Sequence, residues 1–462
     1  MIEGLEPYPE YKESGSLWLG AVPAKWEVRN LRTLISKRAE RDRADLPLLS
    51  VAREKGVFVR SLTDADENHN VIPDDLSNYK VARTGNLVIN KMKAWQGSMG
   101  IAPCDGIVSP AYFVFDFRIA NHAFGQRLLR SKPYVTHFGQ ASDGVRVGQW
   151  DLSIPGMRQI PVLVPSEDEQ AAIVRFLDHA NRKMDGFIRA KRKLIGLLNE
   201  QKQAIIHCAV TRGLNPDVQL KPSGIPWLGD IPVHWEAIRC GCLFREVADV
   251  GHPTARLLSI DRFKGIIPQD ETGRRTRASR DRGAYKRVKP GQLAYNLMNA
   301  FMGALGFSQY DGIVSPAYAV AQPLREIETR YFHHLLRTSS YTGEYNRLSY
   351  GIMYERNRLY FERFKLVRAL LPPLPEQKDI ADWVEGNTQK LNTAIARTER
   401  EIALMQEYRT RLTADIVTGK LDVREAAAKL PEIEDTTEPL TDADAFDEDL
   451  LEEAEADDEA EA

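Results

Sequence analysis

The sequence contains an internal repeat: motifs in its first half recur in the same order in its second half. Eight consecutive residues, Asp105–Tyr112, return unchanged as Asp311–Tyr318, 206 residues later. Shorter motifs return at offsets of 209 and 207, namely Ser14–Gly20 as Ser223–Gly229 and Glu169-Gln170 as Glu376-Gln377. A collinear series of this kind indicates a duplication, so we expect two similar structural units.

Each copy combines a mixed part with a long helix. Short aromatic and β-branched runs such as Val57–Val59 and Tyr112–Phe115 predict strands of an α+β fold. Two long helices are predicted to start after residues 166 and 373, where acidic residues or prolines occur. They are predicted to end near the glycines Gly213 and Gly419. The predicted domains are residues 1–165 (recognition domain 1), 166–213 (central helix), 214–373 (recognition domain 2), 374–421 (C-terminal helix) and 422–462 (acidic tail).

Apolar residues in both helices recur every 3.5 residues. In the first helix this ladder is Ile173, Leu177, Ala180, Met184, Phe187, Lys191, Leu194, Leu198, Gln201, Ile205 and Cys208. In the second it is Ala381, Val384, Thr388, Leu391, Ile395, Thr398, Ile402, Met405, Arg409, Leu412 and Ile416. Such a seam needs a partner helix along its length. We therefore predict an antiparallel intramolecular coiled coil that joins two α+β domains.

Charge is divided unevenly along the chain. Residues 422–462 contain 18 acidic and two basic side chains, whereas residues 1–421 contain 60 basic and 47 acidic ones. The basic body favours a polyanionic partner, although dispersed cations often serve only solubility. The tail from Glu432 onward has the composition of a disordered segment, which would either solubilise the protein or screen its basic surface.

Composition also narrows the class of protein. No apolar run approaches the roughly 18 residues that span a bilayer. The acidic, polar N-terminus lacks the pattern of a signal peptide. Four cysteines in 462 residues do not form a disulfide framework, which favours a reducing compartment. We expect a cytoplasmic protein with no membrane partner.

The duplicated order resembles the specificity subunit of type I restriction–modification enzymes. The likeness rests on the Trp-Leu-Gly openings at Trp18 and Trp227, on the Gly-Ile-Val-Ser-Pro-Ala-Tyr strands, and on helices entered through Pro…Glu-Gln, and it covers about residues 8–420. The resemblance implies a non-catalytic subunit that reads a bipartite double-stranded DNA target, one half-site per recognition domain. It also implies a scaffold for two methyltransferase (modification) subunits and for restriction/translocase subunits. S-adenosylmethionine, ATP and Mg²⁺ would be used by those partners, with no cofactor bound by this chain.

Motifs of catalysis are sparse. The sequence contains no Gly-rich phosphate loop, no methyltransferase tetrapeptide and no Gly-x-Gly-x-x-Gly. Glu-x-Lys, half of a nuclease motif, occurs at Glu200–Lys202 and Glu376–Lys378, where a helix surface is the simpler interpretation. Cys240 and Cys242 with His234 and His252 could hold zinc, but Cys-x-Cys spacing is poor for this and buried thiols are the alternative. We predict no catalytic and no metal site.

Side chains that read DNA bases directly are Arg or Lys, which bind guanine, and Asn or Gln, whose amides bind adenine. The candidates before the repeated strand are Lys91, Lys93 and Gln96 in the first copy, where the second copy has Leu297, Asn299 and Met302. Two readers of different sequences would differ in this way, and so would drifting surface loops. Further candidates are Arg274, Arg275 and Arg277 in a basic stretch suited to phosphate or to solvent, and Arg146, Tyr354, Arg356 and Arg358 in glycine-led loops.

Two other functions fit the same sequence less well. One is a divergent DNA-processing enzyme, such as a nuclease, whose site has no familiar motif. The other is a coiled-coil scaffold that does not bind nucleic acid. Cleavage of DNA by the chain alone would favour the first. Binding of duplex DNA that does not decline with salt would favour the second.

Overall fold

A computed structural model describes residues 5–53, 55–60, 76–146, 149–261, 265–271, 282–351 and 357–431. These residues form two compact units, 5–190 with 400–431, and 191–399. The duplication in the sequence is therefore also a duplication in the structure. Each unit receives part of both long helices, Glu167–Arg212 and Leu374–Val417.

The first unit is built on a four-stranded antiparallel sheet. Its strands are β1 (Tyr11–Glu13), β2 (Ala21–Pro23), β3 (Glu27–Asn30), β4 (Ile35–Lys37), β5 (Leu49–Ala52), β6 (Gly56–Val59), β7 (Lys80–Ala82), β8 (Leu87–Asn90), β9 (Met99–Ile101), β10 (Gly106–Val108), β11 (Tyr112–Phe117), β12 (Ser142–Arg146), β13 (Gln149–Leu152) and β14 (Pro161–Val164). Its helices are α1 (Leu31–Leu34), α2 (His122–Arg130), α3 (Lys132–Gln140), α4 (Ile154–Arg158) and the first part of α5 (Glu167–Arg212). The sheet order is β4-β11-β8-β9.

The second unit repeats this plan. Its strands are β15 (Leu220–Pro222), β16 (Asp230–Pro232), β17 (Glu236–Arg239), β18 (Phe244–Glu246), β19 (Leu258–Asp261), β20 (Gly265–Pro268), β21 (Lys286–Val288), β22 (Leu293–Asn296), β23 (Leu305–Phe307), β24 (Gly312–Val314), β25 (Tyr318–Pro323) and β26 (Arg368–Leu371). Its helices are α6 (Thr329–Leu335), α7 (Ser339–Leu348), α8 (Phe361–Phe364) and the first part of α9 (Leu374–Val417), after which α10 (Arg424–Ala428) belongs to the first unit. The sheet order β18-β25-β22-β23 matches that of the first unit.

The repeated Ser-Pro-Ala-Tyr segment is held by a lysine. The Nζ atom of Lys80 donates hydrogen bonds to the carbonyl oxygens of Pro110 (2.7 Å) and Tyr112 (2.5 Å). In the second unit Lys286 donates to the carbonyl oxygen of Tyr318 at 2.7 Å. A charged donor satisfies backbone acceptors at the point where β11 and β25 begin, so this motif shapes the sheet.

The repeated Glu-Gln motif fastens each long helix to its own unit. The buried amide of Gln170 accepts a hydrogen bond from the backbone N–H of Asn121 (3.0 Å) and donates one to the carbonyl oxygen of Pro165 (2.9 Å). In the second unit the equivalent residues are Gln377, Glu328 and Pro372. Because Asn121 precedes α2 and Pro165 precedes α5, the amide fixes the starts of both helices.

Tryptophans anchor the entrance of each unit. Trp26 and Trp235 are completely buried in the two cores. Trp18 packs edge-on against Tyr134 with ring centroids 5.0 Å apart, and Trp227 packs in the same way against Tyr341 at 4.9 Å. These four residues therefore act as packing anchors of the two units.

The long helices begin at Glu167 and Leu374 and end at Arg212 and Val417. Gly213 and Gly419, which follow them, both have φ of +78°, a conformation that favours glycine. In the first unit, apolar residues from the start of α5 and the end of α9 share one core, as Leu177 and Ile416 do. In the second unit the end of α5 and the start of α9 share the other core. Across the described ranges, no helix is both long and apolar enough to cross a bilayer.

The predicted ladder agrees with the burial of the side chains all along α9, but only along the first part of α5. Every ladder position of α9 is buried or partly buried. In α5 every second position of the ladder fails from Phe187 onward: Phe187 is 54% and Leu194 is 44% exposed, whereas the neighbouring Ile188 is 6% exposed. The intervening positions, Lys191, Leu198 and Ile205, stay partly buried. Near the end of the helix Cys208 is exposed and Ala209 is buried. A straight helix of 3.6 residues per turn drifts about 20° per heptad, which moves the buried stripe by one residue. The coiled coil itself stays a prediction.

The folded body extends beyond the predicted boundary at residue 421. The backbone N–H of Asp422 donates to the carbonyl oxygen of Glu6 at 2.8 Å. Val423 is fully buried, and Arg175 of α5 donates to the carbonyl oxygen of Leu430 at 2.6 Å. Placing the start of the acidic tail at 422 was therefore wrong, because apolar Val423 and Ala427 add to the first core. The acidic stretch from Glu432 lies outside the described residues.

Candidate nucleic-acid interface

In each unit the candidate residues lie in a tight turn that directly follows one strand of the four-stranded sheet, β8 in the first unit and β22 in the second. In the first unit this is turn 91–97, which leaves β8. The side-chain oxygen of Asn90 accepts a hydrogen bond from the N–H of Met92 at 3.1 Å, and the turn closes at Gly97 with φ of +88°. In the second unit, Asn296 accepts from Met298 at 2.8 Å and Gly303 closes turn 297–303 with φ of +86°. The same backbone frame therefore presents different side chains in the two units.

A hairpin completes the site in the first unit. Strands β12 and β13 lie beside turn 91–97, and the N–H of Leu152 donates to the carbonyl oxygen of Lys91 at 2.9 Å. The Nζ atom of Lys91 pairs with the carboxylate of Asp151 at 3.0 Å. The rings of Trp95 and Trp150 meet with centroids 5.0 Å apart. Together the turn and the hairpin form one surface with cationic and aromatic groups.

The structure brings most of the first copy's candidates onto this surface. Lys93 is exposed and Gln96 is partly buried in the turn. Arg146 lies opposite Gln149 in the register of the β12–β13 hairpin, so its backbone belongs to the same surface. Sequence reasoning did not select Trp150 or Asp151. The only available signal was a tryptophan in a short polar segment whose partner in the second copy is not aromatic.

The second unit has a related arrangement with different contacts. The N–H of Leu359 donates to the carbonyl oxygen of Leu297 at 2.8 Å, which joins turn 297–303 to the segment after α7. Arg358 is exposed and pairs through its backbone with Tyr350. Asn299 is partly buried in the turn. Arg358 and Asn299 therefore belong to adjoining segments, as Arg146 and Lys91 do in the first unit.

The remaining candidates lie outside the described residues. Tyr354 and Arg356 lie between the described residues 351 and 357. Arg274, Arg275 and Arg277 lie between the described residues 271 and 282. Their assignment to DNA contact stays a prediction.

Lys80, which holds the repeated strand in the first unit, has three other cations near it. Burial lowers the pKa of Lys80, and nearby cations lower it further, namely Arg41, Lys37 and Lys91. Each of these neighbours disfavours another positive charge, which indicates a positive potential beside turn 91–97. A polyanion approaching the turn would meet that potential first.

The residues considered for zinc do not converge. The ring of His234 contacts the carboxylate of Glu376 at 2.8 Å, and that of His252 contacts Asp249 at 2.8 Å. Cys240 is buried, which raises the pKa of its thiol, while Cys242 is exposed. In the part of the chain that the structure describes, no group of three His, Cys, Asp or Glu side chains could hold a metal ion.

Comparison with known proteins shows a similarity of fold. No protein-family model and no curated protein matches the sequence. A chain from a structural study of complex assembly and conformational transition in the type I restriction–modification system has a TM-score of 0.54 and 15% identity, over 87% of this chain and 99% of its own. The HsdS subunit from Thermoanaerobacter tengcongensis gives 0.40 and 16%, over 87% and 98%. The type I S subunit from M. genitalium gives 0.31 and 10%, over 85% and 96%.

The first of these likenesses covers most of this chain and nearly the whole of the other. At this coverage it extends over both halves of this chain. This chain has the fold of a type I restriction–modification system protein, which is the fold that the sequence resemblance implied.

Proposed function

We propose that this chain is the DNA sequence-specificity subunit of a type I restriction–modification complex. It reads one half of a bipartite target with each α+β unit and has no catalytic activity of its own. One observation carries the proposal: turns 91–97 and 297–303 have the same frame, with matched asparagines and left-handed glycines, but different side chains at the tip. A constant frame with variable tips is what two readers of different half-sites require.

Phosphate contacts would supply most of the affinity. The basic body and the positive potential at Lys80 attract duplex DNA without regard to its sequence. Base discrimination would come from turn 91–97 with the β12–β13 hairpin, and from turn 297–303 with the segment around Arg358. In this proposal Lys93 and Gln96 point to one half-site, and Asn299 to the other.

The chemistry would come from partner subunits. Methyltransferase subunits would use S-adenosylmethionine, and restriction/translocase subunits would use ATP and Mg²⁺. The long helices, which each belong to both units, are the surface that we propose for docking these subunits. This arrangement separates reading, done by the turns, from assembly, done by the helices.

Exchange of one reader tests the proposal. Residues 236–371 begin with β17 and end with β26, and these two strands pair with each other, so the segment can be replaced as a unit by that of another protein of this fold. Gln377 holds the segment through a backbone N–H and is indifferent to the incoming sequence. We expect the hybrid, reconstituted with methyltransferase subunits, to methylate a target in which one half-site is new and the other is unchanged. Each mismatched base pair costs about 1–3 kcal/mol, so the change should be nearly complete.

The methylated positions would be mapped by sequencing modified DNA. A hybrid that altered both half-sites, or made the unexchanged one degenerate, would contradict the two-reader proposal. Cleavage or methylation of DNA by the purified chain alone would contradict the absence of catalysis.

A further inference from the structure

In the first unit, two cations at the helix–domain junction are neutralised by carboxylates of α5. Arg409 forms an ion pair with Asp185, and Arg127 of α2 forms one with Asp178. All four side chains are partly exposed, and each charge has its counter-charge within the unit. This junction therefore needs no external ion.

In the second unit the same positions are not balanced. The long helices match at a constant offset of 207, as Gln170 and Gln377 show, so the equivalents can be read from the sequence. They are Lys202 for Arg409, Asn392 for Asp185, His334 for Arg127 and Glu385 for Asp178. The carboxylate that faces Arg409 in the first unit is thus a neutral amide in the second.

The remaining carboxylates of this junction are already engaged. Arg330 binds Asp382 at 2.8 Å and Glu385 at 3.0 Å, and it also binds Glu328 at 3.1 Å. Within the described part of the chain, the side chains of Lys202 and His334 form no ion pair and no hydrogen bond. Lys202 is therefore left without a counter-charge, and the ring of His334 without a hydrogen-bond partner.

Both groups line a cleft of about 810 Å³ in the second unit. Asn392, Gln389 and Gly386 of α9 line it as well, and Gly386 has open space where a side chain would be. Ile266, Ile267, Phe307 and Tyr310 supply an apolar and partly aromatic share of the lining, while most of the other lining side chains are polar or charged. Clefts of roughly 300–1,000 Å³ are typical of small-molecule sites.

The electrostatics of the cleft favour an anion at its basic end. Burial lowers the pKa of Lys202, and the neighbouring Arg337 lowers it further. Burial, with Arg337, Lys202 and Arg330, lowers the pKa of His334 to about 4. His334 is therefore neutral at neutral pH and can donate one hydrogen bond to an anion that Lys202 attracts.

We propose that this cleft binds a phosphate group, carried by a mononucleotide. Lys202 provides the counter-ion, His334 donates a hydrogen bond, and the wall of Ile266, Phe307 and Tyr310 accepts the base. The phosphate thereby replaces the carboxylate that Asp185 supplies in the first unit. This site is separate from the turns assigned to DNA reading, so it stands or falls independently of that function.

The substitution Asn392→Asp tests the site directly. It restores to the second unit the carboxylate of the first, so Lys202 would be neutralised from within. The matched control is Thr393→Asp, which adds the same charge to an exposed neighbour on α9 that does not line the cleft. Binding to the full chain would be measured by titration calorimetry with three probes: inorganic phosphate, AMP and a short DNA duplex.

We expect N392D and Lys202→Met to weaken binding of AMP and inorganic phosphate about 10- to 100-fold, the usual effect of losing a charged contact, with T393D within about twofold. A loss confined to the duplex would overturn the mononucleotide as the occupant and assign the phosphate to the DNA backbone. Equal affinities of N392D and T393D for all three probes, with both variants folded, would overturn the proposal. Because AMP carries no base sequence, that result would leave the two-reader proposal untouched.

Discussion

At the scale of residues, one amide joins each α+β unit to its helix. Gln170 and Gln377 use both ends of the side chain, accepting from a backbone N–H and donating to a backbone carbonyl in buried surroundings. Buried polar groups of the main chain must be paired, and here a single side chain pairs two of them. The junction consequently depends on the glutamine and not on the sequence of the loops that it holds.

Replacing Gln170 by leucine should therefore be costly. The N–H of Asn121 and the carbonyl oxygen of Pro165 would lose their partner, which should lower the free energy of unfolding by about 2–4 kcal/mol. Gln201→Leu, at an exposed position of the same helix, is the control and should change it by less than about 0.5 kcal/mol. Urea denaturation would measure both, with amide hydrogen exchange at Asn121 as the local readout. A loss no larger than that of the control would mean that the amide is not needed.

The sequence predicts which residues matter at this scale only where they are repeated. Glu-Gln and Ser-Pro-Ala-Tyr stand out because they occur twice, although the partners of Gln170 and Lys80 cannot be named from a motif. The contact of Trp95 with Trp150 could not be predicted, because it depends on how the β12–β13 hairpin folds back over turn 91–97. Side chains that differ between the copies carry no such signal.

At the scale of elements, the long helices show how far the fold can be predicted from the sequence. Their starts at Glu167 and Leu374 follow from proline and acidic residues, and the ladder of α9 is correct throughout. The ladder of α5 fails where Phe187 is exposed in place of Ile188, because a 3.5-residue spacing was extended along a straight helix. Periodicity thus identifies a helix more reliably than it identifies the face of a long one.

Lengthening both helices tests whether they act as a spacer. Inserting seven residues after Gly196 in α5 and after Ala403 in α9 adds two turns to each and preserves a 3.5-residue seam. If the helices pair as predicted, they lengthen by about 10 Å, or about three base pairs of duplex. We expect the preferred gap between half-sites to grow by that amount, with both half-sites unchanged, in methylation mapping. The insertion in α5 alone is the control and should disturb pairing without giving a new gap; an unchanged gap after the double insertion would show that the helices do not set it.

At the scale of the whole molecule, opposite charges are held in one chain. Residues 432–462 contain acidic side chains and no basic ones, while the rest of the chain is basic. The folded segment that ends at Pro431 ties this acidic stretch to the first unit through Arg175. A tethered polyanion competes with DNA for basic surfaces at a high effective concentration.

Two truncations separate folding from charge. Ending the chain after Pro431 should leave its stability unchanged and strengthen, or leave unchanged, the binding of random duplex at low salt, with any gain lost at high salt. Ending it after Leu421 also removes Val423 and Ala427 from the first core and should lower the free energy of unfolding by about 2–4 kcal/mol. Fluorescence anisotropy and thermal denaturation would measure the two effects. Weaker binding after truncation at Pro431 would contradict competition by the tail.

The contribution of residues 400–431 to the first unit has a consequence for synthesis on the ribosome. The second unit, residues 191–399, is continuous and can fold as soon as it emerges. The first unit is translated earlier, yet its core lacks Leu412, Ile416 and Val423 until the end of the chain is made. At about 5–20 residues per second this delay is roughly 10 to 50 s. The N-terminal half of the protein is therefore the first to be made and the last to be finished, and its apolar face on α5 must stay protected from aggregation in the meantime.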